Sequence, residues 1–531
     1  MKKLLTVLML CSVIFGVEAQ TFSPERKKFV KEFKKVLENY GKGQFRDFAN
    51  NELPALINDE EAFPELFFAI MVNTSNDIIA RRMSPYPALY NYVYSVYSLA
   101  LRKQNQTSFD AWQKTVERML EGKNSRKFDR YMILSGGFFY NGKLYEASNY
   151  SWYFDGGEFV FDYTNQPIIK FQNGNLICRV DNNDKKEVKK TPYIDSIVIY
   201  KTNGEFDPLL YKWRGIGGTI NWEKVGMNPK ETFAEIGTYS ASLKSQRFSA
   251  DSVAFTTPYF NQPILGLLNE RAFIPNRDED KVYPQFFSYN KQLFIKDIKP
   301  GMDFLGGLAF KGENLEGLGD KNIDAKLSVY SDNELFIRAK SQLFLIDAKR
   351  IRSFKAQIMM NFAEEDSITH PGAEFDFSQE KKTIELNRTS SGIGQAPFTN
   401  SYHQLDMYIP KLIWEQNTVG LTIGFDFGMS REKKIARLES RNYFDGRLYD
   451  KLQGMEKLHP LVGITNYAAA NGRMNVPEGA LATAMEKTID QARPVFFLLA
   501  NLGFITYDSE NKVININQKA VNFVESRIAR L

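Results

Sequence analysis

The stretch YSWYFDGGEFVFDY, residues 150–163, places aromatic side chains at alternating positions on both sides of a glycine pair. The alternating residues are Tyr150, Trp152, Phe154, Phe159, Phe161 and Tyr163. A period of two is typical of a half-buried β-strand, and Asp-Gly-Gly is a turn sequence. The stretch therefore predicts a β-hairpin in which the chain reverses at Asp155–Gly157.

The period of two continues from about residue 136 to about residue 430. Asn173–Gly174 predicts a second turn, and Asn203–Gly204 follows a further strand. Later strands are predicted over 325–330, 334–339, 342–347, 355–361, 373–377, 382–387, 404–409 and 419–427. This region is too long for one small sandwich. Either two β domains follow one another, or the strands stack into one elongated antiparallel sheet around a continuous apolar seam.

Helical periodicity flanks the β-rich region on both sides. Ser23-Pro24-Glu25 has the residues of a helix start, with a capping serine, a proline and an acid. Further helical segments are predicted over 61–73, 87–103, 108–121, 478–501 and 518–531, with a hairpin over 504–516. The final order of helix, hairpin and helix resembles the end of a winged-helix fold. We interpret it as a packing or partner module and not as a reader of DNA.

These patterns predict an α+β multidomain protein with four segments. They are a signal peptide over 1–19, a helical domain over 20–135, a β-rich region over 136–430 and a helical, winged-helix-like module over 431–531. The last helical pattern ends without an obvious cap. This leaves open that the chain is the front part of a longer protein.

The first residues carry an export signal. Lys2 and Lys3 precede an apolar run from Leu4 to Gly16, and small residues follow up to Ala19. This pattern is typical of a secretory signal cleaved before Gln20. The run is too short to span a bilayer, which needs about 20 residues. We therefore expect an exported protein that is located in the periplasm or at the cell surface.

Composition narrows the class of protein. The formal charge of +5 over 531 residues is close to neutral, so nucleic acid is not an expected partner. Cys11 leaves with the signal and Cys178 alone remains, so no disulfide forms within the mature chain. An exported protein of this size without disulfides is typical of bacteria. Cys178 lies in an apolar strand pattern, which predicts a buried thiol, and no stretch of the mature chain is apolar enough to predict a transmembrane segment.

The sequence assigns no catalytic residue. The three histidines are His370, His403 and His459, and none has the spacing of a metal-binding helix. The sequence therefore predicts no metal site and no cofactor. His403 with Asp406 could form an acid–base pair, although a polar residue beside a strand is the plainer interpretation. The acidic clusters at 278–280 and 364–366 are interpreted as solvated loops.

Two tryptophans enclose a glycine-rich segment in WRGIGGTINWE, residues 213–223. A strand and not a helix follows the glycines, so the segment does not match a dinucleotide-binding loop. Glycines in a strand favour a bulge or the close approach of another chain segment. The main interpretation is structural packing. The alternative is that Trp213 and Trp222 stack on a sugar ring and form a ligand site.

Three short triplets combine aspartate, serine and an aliphatic residue. Their serines, Ser196, Ser252 and Ser367, resemble the acceptors for O-glycosylation in exported proteins of Bacteroidota-type bacteria. The signal ending VEAQ, residues 17–20, is similar to signals of that group. The layout of the whole chain resembles the large uncharacterised exported cell-envelope proteins of Bacteroidota.

This resemblance implies a non-catalytic scaffold or carrier of the cell envelope, with other envelope proteins, lipid or glycan as partners. A lipid carrier is one form of it, because FSADSVAF, residues 248–255, resembles periplasmic lipopolysaccharide-bridge proteins, in which stacked sheets open into an apolar groove. A carbohydrate-binding surface protein is the first alternative, and it rests on Trp213 and Trp222. A secreted hydrolase is the second, with only dispersed acids and histidines in its favour.

Overall fold

A computed structural model describes twelve ranges of the chain. They are residues 21–40, 45, 47–59, 61–102, 106–122, 124–181, 193–273, 282–321, 323–362, 366–424, 436–509 and 511–528. The proposed signal peptide, the acidic cluster at 278–280 and two of the residues in the cluster at 364–366 lie outside these ranges.

The chain divides into two compact units. The first unit comprises Met1–Asn221, Phe233–Val253 and Leu268–Tyr283, and the second comprises Trp222–Thr232, Ala254–Leu267 and Pro284–Leu531. The predicted order of an N-terminal helical region, a long antiparallel β region and C-terminal helices is confirmed.

The described helices lie at the two ends of the chain. In order they are α1 Arg26–Leu37, α2 Leu53–Ile57, α3 Glu65–Ala80, α4 Tyr90–Leu101, α5 Gln106–Glu121, α6 Ser125–Asn141, α7 Gly446–Gln453, α8 Pro460–Asn471, α9 Glu478–Ala484, α10 Ile489–Asn501 and α11 Gln518–Ile528. Among the described residues, no helix combines the length and the apolar character that crossing a membrane requires.

Three predictions about the helices need correction. Helix α6 continues to Asn141, so the β-rich region begins at Lys143 and not at residue 136. Its extension through two glycines has a packing reason, because the ring of Tyr94 fills the space that a Cβ of Gly136 would need. The single helix predicted over 478–501 is two helices, α9 and α10. The helical pattern expected after residue 431 is a strand over Arg437–Ser440.

Twenty-six of the described strands form one antiparallel sheet. They are β1 Lys143–Glu146, β2 Tyr150–Asp155, β3 Glu158–Tyr163, β4 Pro167–Asp181, β5 Tyr193–Asp207, β6 Lys212–Ile216, β7 Thr219–Asn221, β8 Phe233–Glu235, β9 Thr238–Ser242, β10 Arg247–Thr256, β11 Ile264–Arg271, β12 Gln285–Ser288, β13 Leu293–Lys299, β14 Met302–Lys311, β15 Asn314–Leu318, β16 Ala325–Ser331, β17 Glu334–Ser341, β18 Leu343–Ile346, β19 Arg350–Asn361, β20 Ser367–Ser378, β21 Thr383–Asn387, β22 Phe398–Asn400, β23 Leu405–Tyr408, β24 Lys411–Glu415, β25 Leu421–Gly424 and β26 Arg437–Ser440. A second sheet contains β27 Asn475–Pro477, β28 Ile505–Asp508 and β29 Val513–Ile516. Strands are found in all eight later regions where they were predicted.

The hairpin predicted at Asp155–Gly157 is wrong. Strands β2 and β3 both pair with β4 in one uninterrupted register, from Tyr150 opposite Val180 to Tyr163 opposite Pro167. They are therefore two halves of one long strand that bends at its glycine pair. Gly156 and Gly157 have φ angles of +71° and +66°, which glycine adopts at little cost.

The other two predicted breaks are also bends within strands. Strand β4 passes through Asn173–Gly174 and strand β5 passes through Asn203–Gly204 without reversing. In the register of these strands Gly174 lies opposite Thr202, and Phe171 lies opposite Gly204. Gly156, Gly157, Gly174 and Gly204 thus lie along one line across neighbouring strands of the sheet, which we call the crease.

Aromatic rings cover the glycines of the crease. The ring of Phe154 fills the space that a Cβ of Gly174 would need, and the indole of Trp213 does the same at Gly204. The rings also pack on one another, with the centroids of Phe154 and Trp213 5.7 Å apart. Because a side chain at either glycine would displace a ring, the bend and the aromatic core depend on each other.

The second unit bends its strands in a similar way. Strand β14 pairs with β16 before Gly306 and with β15 from Gly307 onward. The shorter strands of this unit fall into two sets, one on each side of this division. One set is β15, β18, β21, β24 and β25, and the other is β16, β17, β22, β23 and β26. The long strands β19 and β20 contribute to both sets.

The two halves of this sheet enclose an apolar interior. Trp414 of one half packs against Phe336 of the other, with ring centroids 4.7 Å apart. The interior is filled by side chains that are at most 3% exposed, among them Leu327, Ile337, Phe344, Ile358, Ile368, Phe375, Leu386 and Leu412. The opposite faces of β17 and β19 carry Arg338, Lys340 and Gln357, together with the exposed Phe354 and Met359.

The three-stranded sheet belongs to a C-terminal module of the second unit, residues 444–528. Its strand order is β27-β29-β28, and the buried faces of these strands pack on the helices α8 to α11. The predicted hairpin over 504–516 is confirmed as β28 and β29.

We expect that an added methyl group at the crease destabilises the first unit. Gly204→Ala should lower the free energy of unfolding by about 1–3 kcal/mol, because the new Cβ overlaps the indole of Trp213. Gly237→Ala is the matched control, since nothing lies within 4 Å of its Cβ position. Urea denaturation of both variants tests the expectation. Equal stability of the two variants would contradict it.

Candidate functional site

The two tryptophans proposed as sugar-stacking residues are both fully buried. The indole N–H of Trp213 donates to the hydroxyl of Tyr239 at 3.1 Å, and the indole ring covers Gly204. Trp222 packs on Phe255 with ring centroids 4.8 Å apart. Both rings are therefore core residues, and neither offers a face on which a sugar could stack.

The three serines of the aspartate–serine triplets differ in exposure. Ser252 in β10 is exposed, whereas Ser196 in β5 and Ser367 in β20 are half-buried. The backbone N–H of Ser252 donates to the Asp251 carboxylate at 3.0 Å, and that of Ser196 donates to its own preceding aspartate at 2.7 Å. Glycosylation at these positions stays a prediction.

Two of the histidines hold backbone segments. The Nδ1 atom of His370 accepts the N–H of Gly372 at 3.1 Å, and its Nε2 atom lies 2.9 Å from the carbonyl oxygen of Ala396. His459 repeats the arrangement, with Nδ1 accepting from Leu461 at 3.1 Å. Both His-Pro sequences thus use the imidazole to fix the backbone around the proline.

The acid–base pair considered for His403 and Asp406 is not formed, in line with the plainer interpretation. His403 is exposed, whereas Asp406 is 2% exposed and accepts a hydrogen bond from Lys519 Nζ at 2.6 Å. Lys519 also donates to the carbonyl oxygen of Leu502 at 2.9 Å. The pair joins helix α11 to strand β23, and it anchors the C-terminal module on the sheet of the second unit. Among the described residues, no group of acids, histidines and cysteines is arranged to hold a metal.

The buried thiol predicted at Cys178 is confirmed in strand β4.

The candidate site is a groove in the second unit, between the long sheet and the three-stranded sheet. It consists of two adjoining cavities of about 910 and 340 Å³, which share Lys340, Gln357, Pro371, Thr506 and Asn515. We call it the polar groove. Its size falls in the range of known ligand sites, roughly 300–1,000 Å³.

Strand register builds the floor of the polar groove. Arg338 lies opposite Met359, which lies opposite Thr369, so three adjacent strands present one row of side chains on their outer face. Lys340 and Gln357 form a second row two residues further along. Successive side chains of a strand point to opposite faces, so both rows project away from the apolar interior.

The opposite wall of the groove is a row of polar side chains on the three-stranded sheet. Asn475 lies opposite Asn515, and Asn515 lies opposite Thr506. The alternate residues Val476 and Ile514 are buried against the helices of the module. The amide and hydroxyl groups of this wall both donate and accept hydrogen bonds.

A bulge widens the groove and exposes an aromatic ring. The pairing of β19 with β20 is interrupted between Ser353 and Ala356, which turns both Phe354 and Lys355 outward. Ser353 Oγ donates to Ser341 Oγ at 2.8 Å, and Ser341 Oγ donates to the carbonyl oxygen of Lys355 at 2.8 Å. The side chain of Phe354 is 65% exposed and lines the larger cavity. Bulges often redirect side chains at functional sites.

The carboxylates that line the groove already accept hydrogen bonds. Asp324 accepts from the side-chain amide of Gln342 at 2.6 Å, and Asp508 accepts from that of Asn511 at 2.7 Å. Asp406 lies in the ion pair with Lys519. The described acids of the groove are thus held in structural contacts.

The sequence itself carries a signal for this floor. The segment ELFIRAKS, residues 334–341, alternates the buried Ile337 and Ala339 with the cations Arg338 and Lys340. That alternation marks one polar face of a strand. It does not reveal that a second sheet, distant in sequence, covers this face.

Comparisons with known proteins found no relative. No protein-family model, no curated protein and no solved structure matches the chain. The site is therefore interpreted from its own geometry alone.

His370 makes the stability of the chain depend on pH. Burial lowers the pKa of His370 from 6.5 to about 4, so the folded chain holds it neutral where the unfolded chain protonates it. The stabilisation that the neutral, buried His370 provides to the folded chain is complete above pH 6.5. It is lost as the pH falls toward 4. At 1.36 kcal/mol per pKa unit, the loss is about 3 kcal/mol. Burial also lowers the pKa of His459, which acts in the same direction.

Urea denaturation between pH 7 and pH 4 measures this dependence. His370→Gln keeps one acceptor and one donor, and it should reduce the loss of stability on acidification. His403→Gln is the control, because its ring is exposed. A pH profile of His370→Gln that equals that of the unmodified chain would contradict the assignment.

Proposed function

We propose that this protein is an exported, non-catalytic scaffold of the bacterial cell envelope that holds a glycan in the polar groove. Export rests on the pattern of residues 1–20, and the envelope location rests on the resemblance in layout described above. The carbohydrate-binding alternative is thus combined with the scaffold, but with the polar groove in place of Trp213 and Trp222.

The observation that carries the proposal is the lining of the groove. Side-chain amides from both walls, including Gln357 and Asn515, face a space large enough for several sugar rings. Amides suit sugar hydroxyls because each amide offers both donors and an acceptor. The exposed ring of Phe354 supplies an apolar face beside them, which suits stacking on a sugar.

The filled interior of the second unit favours a glycan over a lipid. A lipid carrier needs an apolar groove that its side chains leave open. Here the space between the halves of the sheet is occupied by buried side chains such as Phe344 and Phe375. The groove outside that interior is lined by lysine, asparagine, glutamine and threonine side chains, together with Leu343, Phe354, Ile393 and Val513.

We further propose that the C-terminal module has a winged-helix-like fold. Its order of helix α8, strand β27, helices α9 and α10, strands β28 and β29 and helix α11 supports this, as does the strand order β27-β29-β28. In this protein the module supplies one wall of the groove, with Asn475, Thr506 and Asn515. Its role is therefore to complete the ligand site and not to read DNA.

A glycan array tests the proposal on the mature chain from Gln20 onward. We expect binding to at least one polysaccharide, and we expect Phe354→Ala and Asn515→Ala each to weaken it at least about tenfold, the loss of about 1.4 kcal/mol that one stacking or hydrogen-bonded contact provides. Phe294→Ala is the matched control, because Phe294 is 58% exposed in the same unit and does not line the groove.

Two results would overturn the proposal. One is the absence of binding to every polysaccharide on the array. The other is a loss of binding in Phe294→Ala that equals the loss in Phe354→Ala, since that would place the glycan elsewhere on the unit.

A further inference from the structure

We infer that the ligand of the polar groove is a polyanion, an acidic polysaccharide that carries carboxylate or sulfate groups. The inference rests on the proposed function and adds the chemical class of the glycan. It depends on an arrangement of like charges on strands β16 and β17.

Two lysines lie directly opposite each other on these neighbouring strands. Lys326 pairs with Lys340 in the register, and side chains in that position have Cβ atoms about 5 Å apart. Like charges directly opposite one another destabilise a sheet. Arg338 lies two residues from Lys340 on the same face, about 7 Å along the strand. Three cations therefore share one small area of the outer face.

In the described part of the chain, no ion pair compensates these cations. Within the described ranges, Lys326, Arg338 and Lys340 make no hydrogen bond or ion pair with another side chain. By contrast, Lys411 on the other half of the same sheet pairs with Glu385 at 2.8 Å. The sheet thus pairs a lysine elsewhere, whereas Arg338 and Lys340 line the groove and Lys326 lies directly opposite Lys340.

The positive charge extends along the larger cavity. Lys321 and Lys355 line it together with Lys340, and the acids of the same lining are Asp324 and Asp508. Lys355 pairs with Asp508, with Nζ and Oδ1 3.7 Å apart, so Lys321 and Lys340 are the lysines of this lining outside that pair. Both acids accept a hydrogen bond from a neutral amide, Asp324 from Gln342 and Asp508 from Asn511, and they keep their negative charge. A ligand with anionic groups spaced along a chain would face Lys321, Lys340 and Arg338 in succession, and an anion beside Lys340 would offset its repulsion with Lys326.

Matched pairs of polymers test the inference by separating charge from sugar structure. Polygalacturonate is compared with its methyl ester, and dextran sulfate is compared with dextran. The mature chain should bind at least one anionic polymer at least about tenfold more tightly than its neutral counterpart. The preference should shrink as sodium chloride rises from 50 to 500 mM, because the Debye length falls to a few ångströms. Binding of polygalacturonate alone would identify carboxylate as the anion, and binding of dextran sulfate alone would identify sulfate.

Charge variants locate the interaction. Lys340→Gln, and more strongly Arg338→Gln with Lys340→Gln, should weaken binding of the anionic polymer at least about tenfold. Lys296→Gln removes the same charge from an exposed position outside the groove and should change binding less than about twofold. Because both changed cations lie directly in a site of like charge, the variants should be at least as stable as the unmodified chain. A thermal melt checks this and excludes loss of folding as the cause.

The outcomes separate this inference from the proposed function. If the neutral polymers or a neutral glycan of the array bind as well as the anionic ones, and Phe354→Ala still weakens that binding, the polyanion is wrong and the glycan site stands. If Lys340→Gln and Lys296→Gln have equal effects, the charge does not act in the groove and the inference is overturned. If no polysaccharide of either kind binds, both proposals fail.

Discussion

The architecture depends on the contact between glycines and aromatic rings where long strands bend. A fifteen-residue strand such as β4 can keep its hydrogen bonds through a sharp bend only where the backbone is unhindered. Gly174 provides that freedom, and the ring of Phe154 then occupies the space above it. Gly204 and Trp213 are arranged in the same way. In each pair the glycine has no side chain on the inside of the bend, and the aromatic ring fills that space, so the bend leaves no cavity.

In the second unit the bends have consequences for the surface. Bending a sheet brings its concave face together into a core and leaves the convex face for other uses. At the bend of β19 and β20 the register slips by a residue, Phe354 and Lys355 turn outward, and His370 fixes the segment on β20 opposite. The C-terminal module then covers this outer face, held by the ion pair of Lys519 and Asp406. Three local features therefore form the groove: a bulge, a backbone segment fixed by His370 and one buried ion pair.

Sequence periodicity predicted the elements of this fold better than their connections. Alternation located most strands, because a residue that faces a core must be apolar wherever its partner strand lies. It could not distinguish a turn from a bend, since Asp155-Gly156-Gly157 and Asn173-Gly174 provide the same backbone freedom for both. The distinction lies in the partner strand: a register that continues from Tyr150 to Tyr163 is visible only when β4 is in place. The tryptophans were misleading for a related reason. A ring that covers a glycine lies next to glycine-rich sequence, just as a ring beside a ligand loop does.

The charges of the second unit show why the groove was out of reach of sequence reasoning. Lys519 and Asp406 are 113 residues apart, yet they form a pair in which each ion is almost wholly buried. Burying either ion alone would be strongly unfavourable, so their association is required once the module is placed. Lys326 and Lys340 are only 14 residues apart and face each other, and neither forms an ion pair with a described carboxylate. The second unit thus pairs the buried Lys519 with a carboxylate and leaves two lysines opposed on a half-covered face. Packing alone does not account for this contrast. An anionic ligand in the groove, as inferred above, would supply the charge that this face lacks.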